Sequence, residues 1–221
     1  MLQRDAFIEE ITKYLEKDKS IFFLSADFGA KALDELRQRF PNNFLHCGIS
    51  EQAMLDIAAG LALEDNKVFV YGMAPFLALR SLEQTKCGAG LMNLPICLLS
   101  VGIGLGYADA GPTHYTTEDF ACFRSIVGSS IYTPADSLST KLIAKELLEK
   151  PKFSYIRLDR DVLPNISPEI TNADLNKGFK VFGNINNNKI ALISHGRMLH
   201  KCLEIYNNKL NKFICVDILR S

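Results

Sequence analysis

NFLHCGISEQAMLDIAAGLALEDNKVFVYG, residues 43–72, decides how the chain folds. It opens and closes on short apolar runs, 43–47 and 67–72, of strand length and rich in aromatic and β-branched residues. Between them Ala53, Met54, Ile57, Ala58, Leu61 and Ala62 recur at helical spacing along one face. Ser50 stands where an N-cap is expected, which puts Glu51 in the first helical turn. The result is a strand–helix–strand unit whose second strand is apolar on both faces, the mark of a parallel sheet covered on both sides. An acid in a first turn complements the helix dipole. Glu51 therefore has two readings at this point, a solvated partner of the dipole or a carboxylate held inside an apolar helix for chemistry.

The same alternation extends in both directions. A helix over 4–16 precedes the strand 20–26, and a second helix, 30–40, leads into the quoted unit. After it come a helix over 75–92 opening on Pro75, the strand 94–102 and a long glycine-bearing loop. A short helix at 118–127, a strand at 130–134, a helix at 136–149 and a strand at 153–158 follow. Apolar strands alternating with helices predict an α/β fold with a doubly wound parallel sheet. Composition changes over 159–178, where prolines and asparagines replace large apolar residues. We place the first domain at 1–164, a linker at 165–187, and a second α/β domain at 188–221. That last segment holds one strand–helix–strand unit, 189–196, 198–210 and 212–218, too short to close a core alone. It is expected to be an incomplete domain.

The chain has 221 residues with 25 basic and 25 acidic side chains and no basic block, which argues against a nucleic-acid partner. Cys47, Cys87, Cys97, Cys122, Cys202 and Cys215 are scattered without metal-ligand spacing. Several lie in apolar runs, so reduced, buried thiols of a cytoplasmic protein are expected. The N-terminus carries acids where a signal peptide needs an apolar core, and no run is long enough to span a membrane.

Polar groups that the fold does not need mark the candidate chemistry. The loop GIGLGYADAGPTHYTTED, 102–119, follows a strand's C-terminal end, where open α/β sheets bind ligands, and it carries His114. Its glycines alternate, so it is neither a dinucleotide fingerprint nor a P-loop. Phe76 and Arg80 stand four apart on the following helix face, and Arg157 and Arg160 leave a strand end in YIRLDR. Each has a structural alternative. His114 can hold its loop, Phe76 can be core, and the two arginines can pair with Asp159 and Asp161. His195 and His200 are five apart and read as structural or surface groups, and a metal site within the chain is not expected.

Five segments in order, GISEQAMLDIAAGLAL (48–63), MAPFLALRSLEQ (73–84), GPTHYTTEDFACFR (111–124), YTPADS (132–137) and YIRLDR (155–160), resemble the pyrimidine-binding domain of the transketolase family of thiamine diphosphate enzymes. The resemblance covers residues 4 to about 164, and 188–221 looks like the start of that family's C-terminal domain. It implies that Glu51 hydrogen-bonds N1′ of the cofactor's aminopyrimidine and that Phe76 stacks on that ring, with Arg80 beside them. It implies that Asp27, in SADFG, lies close to the cofactor. His114 would face the reacting carbon of the substrate, Arg157 and Arg160 would bind it, and Arg160 is the better candidate for a substrate phosphate.

Two departures concern the substrate. The family's usual D-G-P-T-H is A-G-P-T-H here, with Ala110 in place of the aspartate, and Gly102 stands where a further histidine is usual. A third concerns the metal. The family's G-D-G motif, with its downstream asparagine that holds Mg²⁺ and the diphosphate, does not occur. The resemblance therefore implies that Mg²⁺ is held by a diphosphate-binding partner on a separate chain, in a homodimer or heterotetramer. The expected activity is transfer of a two-carbon ketol unit on a sugar phosphate or modified sugar. The competing readings are the β-type subunit of a 2-oxo acid dehydrogenase, a deoxyxylulose-phosphate-synthase-like enzyme, and a non-catalytic subunit that keeps the fold.

Overall fold

The computed structural model describes residues 1–26, 31–166, 168–184, 190–208 and 213–221. Asp27 lies outside the described residues. Six parallel strands, β1 (Ile21–Ser25), β2 (Phe44–His46), β3 (Lys67–Met73), β4 (Ile96–Val101), β5 (Ser130–Tyr132) and β6 (Ser154–Leu158), form one sheet in the order β2-β1-β3-β4-β6-β5. Its central strands are buried on both faces, as their unbroken apolar runs require.

Helices cover both faces. On one, α1 (Gln3–Leu15), α2 (Lys31–Arg39) and α6 (Ser137–Glu149) pack Phe7, Ile11, Leu33, Ile143 and Leu147 against Phe23, Phe69 and Leu99. On the other, α3 (Glu51–Leu63) and α5 (Asp119–Arg124) pack Met54, Leu55, Ala58 and Phe123 against Val68, Val70 and Leu98. The doubly wound α/β prediction holds. The alternation of side chains across each strand sends successive apolar residues into the two cores.

The helix expected over 75–92 is not a regular α-helix. It consists of a π-helix at Phe76–Arg80, a single α turn, α4 (Leu82–Gln84), and a second π-helix at Thr85–Leu91. Ser81 and Thr85 donate their hydroxyls to the carbonyls four residues back, Leu77 O at 2.7 Å and Ser81 O at 2.9 Å. Such bonds compete with the helical ladder and open it locally. Periodicity alone does not reveal this.

The segment expected to be a linker carries structure. Thr171 and Asp174 form a reciprocal capping box that starts α7 (Asn172–Lys177), and Gly178, at φ 85°, ends it. Strand β7 (Phe179–Phe182) follows and pairs antiparallel with β9 (Phe213–Ile218), which pairs parallel with β8 (Ile190–Ser194). With α8 (Met198–Asn208) they form a second, three-stranded unit. Its small core, Phe182, Leu199 and Cys215, is completed by Ala135 and Ile166 from the preceding part of the chain. The last residues lie along the edge of β5, where Ile131 and Ser221 exchange backbone hydrogen bonds of 2.9 and 3.0 Å.

One buried acid in the second unit has a measurable consequence. Asp217 on β9 is fully buried beside Ser194 of β8, and neither carboxylate oxygen has a hydrogen-bond partner among the described residues. Burial, and then the nearby Asp136 carboxylate, push its pKa up to about 8. The folded chain thus keeps a proton that the unfolded chain releases near pH 4. Stability is full below that value and is lost as pH rises toward 8, by at most about 1.4 kcal/mol per pH unit. Asp217→Asn is expected to melt higher than the native chain at pH 7.5 and close to it at pH 4.5. Parallel melting curves across that range would show that Asp217 is not the group responsible.

Candidate active site

The C-terminal ends of β2, β3, β4 and β6 deliver the polar groups to one edge of the sheet. The turn after β2 leads into α3. There Ser50 occupies the N-cap position but donates its hydroxyl to Cys47 O, leaving the helix start uncapped by a side chain. Glu51, in the first turn, is 3 % exposed. Its Oε2 accepts a hydrogen bond of 2.7 Å from Arg80 Nη1, which reaches over from the first π-helix. The Arg80 guanidinium also lies over the Phe76 ring, 4.4 Å from its centroid. His114 meets the same ring edge-on, centroids 5.2 Å apart at 74°.

Beyond His114 the line continues into the glycine loop and the end of β6. Tyr107 lies 6.4 Å from the His114 ring, and the Arg160 guanidinium lies 4.6 Å over Tyr107. Arg160 is held by Asp109 at 2.5 Å and by Gly106 O at 3.2 Å. Its bond to Asp109 keeps that carboxyl below the ordinary aspartate value. Glu51, Arg80, Phe76, His114 and Arg160, all anticipated from sequence, thus form one continuous row.

Tyr107 and Asp109 were not anticipated, and both are explained locally. Gly102 has φ +81°, and a Cβ there would lie 2.0 Å from Tyr107 Cε2. The loop is glycine at 102 because the tyrosine ring fills that space. A side chain at 102 and this placement of Tyr107 exclude one another. The signal in the sequence was an aromatic residue directly after the alternating glycines 102, 104 and 106.

Arg157 does not join the row. It is buried, with Nε 2.7 Å and Nη2 3.2 Å from the Asp119 carboxylate, which also accepts the Tyr155 hydroxyl at 3.0 Å. Its remaining nitrogen, Nη1, lies 3.5 Å from His195 Nδ1, and Arg157 and His195 line a separate cleft of about 310 Å³ against the second unit. Burial, and then the Arg157 charge, lower the His195 pKa. Asp159 and Asp161, the alternative partners expected for Arg157 and Arg160, both pair with Arg197 instead. His200 Nε2 donates to Ala135 O, 2.8 Å away.

A buried carboxylate at a helix start, a flat aromatic beside it and a histidine and arginine further along thus line one edge of a doubly wound α/β sheet. The model of the transketolase pyrimidine-binding domain matches residues 1–165, and the chain belongs to that family. It is 34 % identical over 164 residues to an apulose-4-phosphate transketolase subunit of Phocaeicola vulgatus, covering 74 % of this chain and 53 % of that protein. It is 28 % identical over 167 residues to the 6-deoxy-6-sulfo-D-fructose transketolase subunit SqwH of a Clostridium species, covering 75 % and 52 %. The chain therefore spans about half the length of these curated relatives. Among solved structures it resembles a split-gene transketolase described as an inactive β4 tetramer, with TM-score 0.83 and 25 % identity over 98 % of this chain and 71 % of that one.

Proposed function

We propose that the chain is the pyrimidine-binding subunit of a two-chain, thiamine diphosphate-dependent transketolase-like enzyme that transfers a two-carbon ketol unit on a sugar phosphate or modified sugar. The observation that carries the proposal is the Glu51 carboxylate. It is nearly fully buried and already satisfied by a flat cation stacked on Phe76. A hydrogen-bonding edge below and an aromatic face beside it are what an aminopyrimidine needs, so these residues fit that half of the cofactor.

The other half is not matched. The sequence has no G-D-G motif, and among the described residues no group of three or more His, Cys, Asp or Glu could hold a metal ion. We assign Mg²⁺ and the diphosphate to a partner chain, in a homodimer or heterotetramer, on the missing G-D-G motif and on the relatives that are named as subunits. The partly exposed position of Arg80, at the mouth of the site, suits a cofactor shared across an interface. The relatives named as subunits of transketolases acting on apulose 4-phosphate and 6-deoxy-6-sulfo-D-fructose support the split arrangement and the sugar substrate. Six unpaired cysteines suit a cytoplasmic setting, and among the described residues no helix is long and apolar enough to cross a membrane.

When bound, thiamine diphosphate supplies a carbon nucleophile and an electron sink for the carbonyl being cleaved or formed. Glu51 would hold a proton at the pyrimidine nitrogen and Phe76 would orient the ring. His114 faces the substrate carbonyl and can hold a proton at its oxygen. Arg160 sits where it can exchange the Asp109 carboxylate for a substrate phosphate without moving its stem. Arg157 is assigned the positioning of Asp119 and the cleft floor instead of substrate.

The test is to retrieve the tagged chain from its native cells, identify the companion by mass spectrometry, and measure thiamine diphosphate binding calorimetrically with Mg²⁺. The retrieved pair is expected to bind the cofactor, and the chain alone to bind it at least about tenfold more weakly because half its contacts are missing. Equal binding by the chain alone would overturn the split-site reading.

A further inference from the structure

We propose that Arg80 occupies the seat of the aminopyrimidine in the free chain, so that the ring binds by displacing its guanidinium. The proposal rests on the functional reading above but concerns this chain's own residues. Two surfaces define the seat, the Glu51 carboxylate and the face of Phe76. Arg80 uses both at once, through a 2.7 Å hydrogen bond to Glu51 Oε2 and a guanidinium 4.4 Å over the Phe76 ring. A guanidinium and an aminopyrimidine share the relevant chemistry, being flat, π-faced and edged with N–H donors. One ring face holds one such group, and His114 stands against the same ring at 5.2 Å.

The arrangement answers a problem of the free chain. A carboxylate as buried as Glu51 is costly without a donor, and Arg80 supplies one before the cofactor arrives. The means of withdrawal are also present. The Arg80 side chain is 42 % exposed, and it ends the π-helix immediately before Ser81, whose φ −107° and ψ 24° leave the helical region. Its long stem can carry the charge into solvent without moving the backbone. A wide π turn, with its i→i+5 bonding, brings Arg80 back over Phe76 and is a frequent device at functional sites.

The experiment uses the full chain and 4-amino-5-hydroxymethyl-2-methylpyrimidine as the probe, with affinity read by ligand-observed NMR titration. Arg80→Ala and Arg80→Met are each expected to bind it about five- to tenfold more tightly than the native chain, the size of a partly exposed ion pair plus a cation–π contact. Native affinity is expected to rise with added NaCl, which screens the Arg80–Glu51 pair, while the Arg80 variants stay flat. Glu51→Ala is expected to lose the probe. If both Arg80 variants bind as weakly as the native chain, or more weakly, while Glu51→Ala still loses binding, the displacement proposal is overturned and the cofactor reading stands. If Glu51→Ala binds like the native chain, the cofactor reading fails and this proposal with it. If neither the native chain nor the Arg80 variants bind the probe, freeing the seat of the guanidinium has not opened it and the displacement proposal is overturned.

Discussion

Glu51→Gln is expected to lower the turnover of the assembled enzyme by about 100- to 10,000-fold, the usual range for a positioned acid–base group. Glutamine has nearly the shape of glutamate. Its carbonyl can still accept from Arg80 Nη1, so the α3 start and the Phe76 seat should persist. What it cannot do is hold a proton for the pyrimidine nitrogen. The structural cost is the lost interaction of an acid with the helix N-terminus, about 0.3–1 kcal/mol. To it is added the charge part of the Arg80 pair, which is about 1 kcal/mol or less because the Arg80 side chain is 42 % exposed. Assembly with the partner and a melting temperature within a few degrees of native should therefore accompany the loss of kcat. Turnover within twofold of native would assign Glu51 to the helix dipole and return the chain to the non-catalytic reading.

The row from Glu51 to Arg160 was partly legible in the sequence, since Glu51, His114 and Arg160 interrupt patterns that the fold explains, whereas Phe76 reads equally as core and took its role from the family resemblance. Glu51 heads an apolar helix, and His114 and Arg160 follow strands that are otherwise apolar. In a parallel sheet the ends of such strands converge on one edge, so topology alone brought these residues together. What was not legible depends on contacts that no period encodes. Tyr107 and Gly102 define one another through a clash visible only in three dimensions. The π-helices arise from hydroxyl back-bonding at Ser81 and Thr85, residues that any helix tolerates. Strand β7 hid in a polar, proline-bearing stretch because it is a short outer strand of a small sheet, with one neighbour and little to bury. Its capping box, Thr171 to Asp174, was the signal that composition masked. The cysteines were read too uniformly. Cys97 and Cys215 are buried, the former on β4 and the latter on β9, but Cys87 is exposed because the second π-helix turns it outward.

Asp119→Ala is expected to cost about 3–5 kcal/mol of unfolding free energy, because it strands a buried cation. The Asp119 carboxylate, fully buried at the start of α5, takes two bonds from Arg157 and one from Tyr155. Tyr155 is itself fully buried and stacked 3.7 Å from Phe123, so its hydroxyl has no route to water. Burial, and then the Asp119 charge, hold that phenol well above its ordinary pKa, where it remains a donor. Without the carboxylate, both donors and the Arg157 charge stay inside. The comparison that separates this cause from simple loss of packing is the pair of variants Asp119→Ala and Asp119→Leu with Arg157→Met. Removing both charges and refilling the volume is expected to recover most of the loss, since buried pairs often gain little over well-packed apolar residues. Urea unfolding of the native chain and the two variants measures it. A double variant no more stable than Asp119→Ala would mean that the geometry of the pair, not the stranded charge, holds α5 between the glycine loop and the cleft lined by His195.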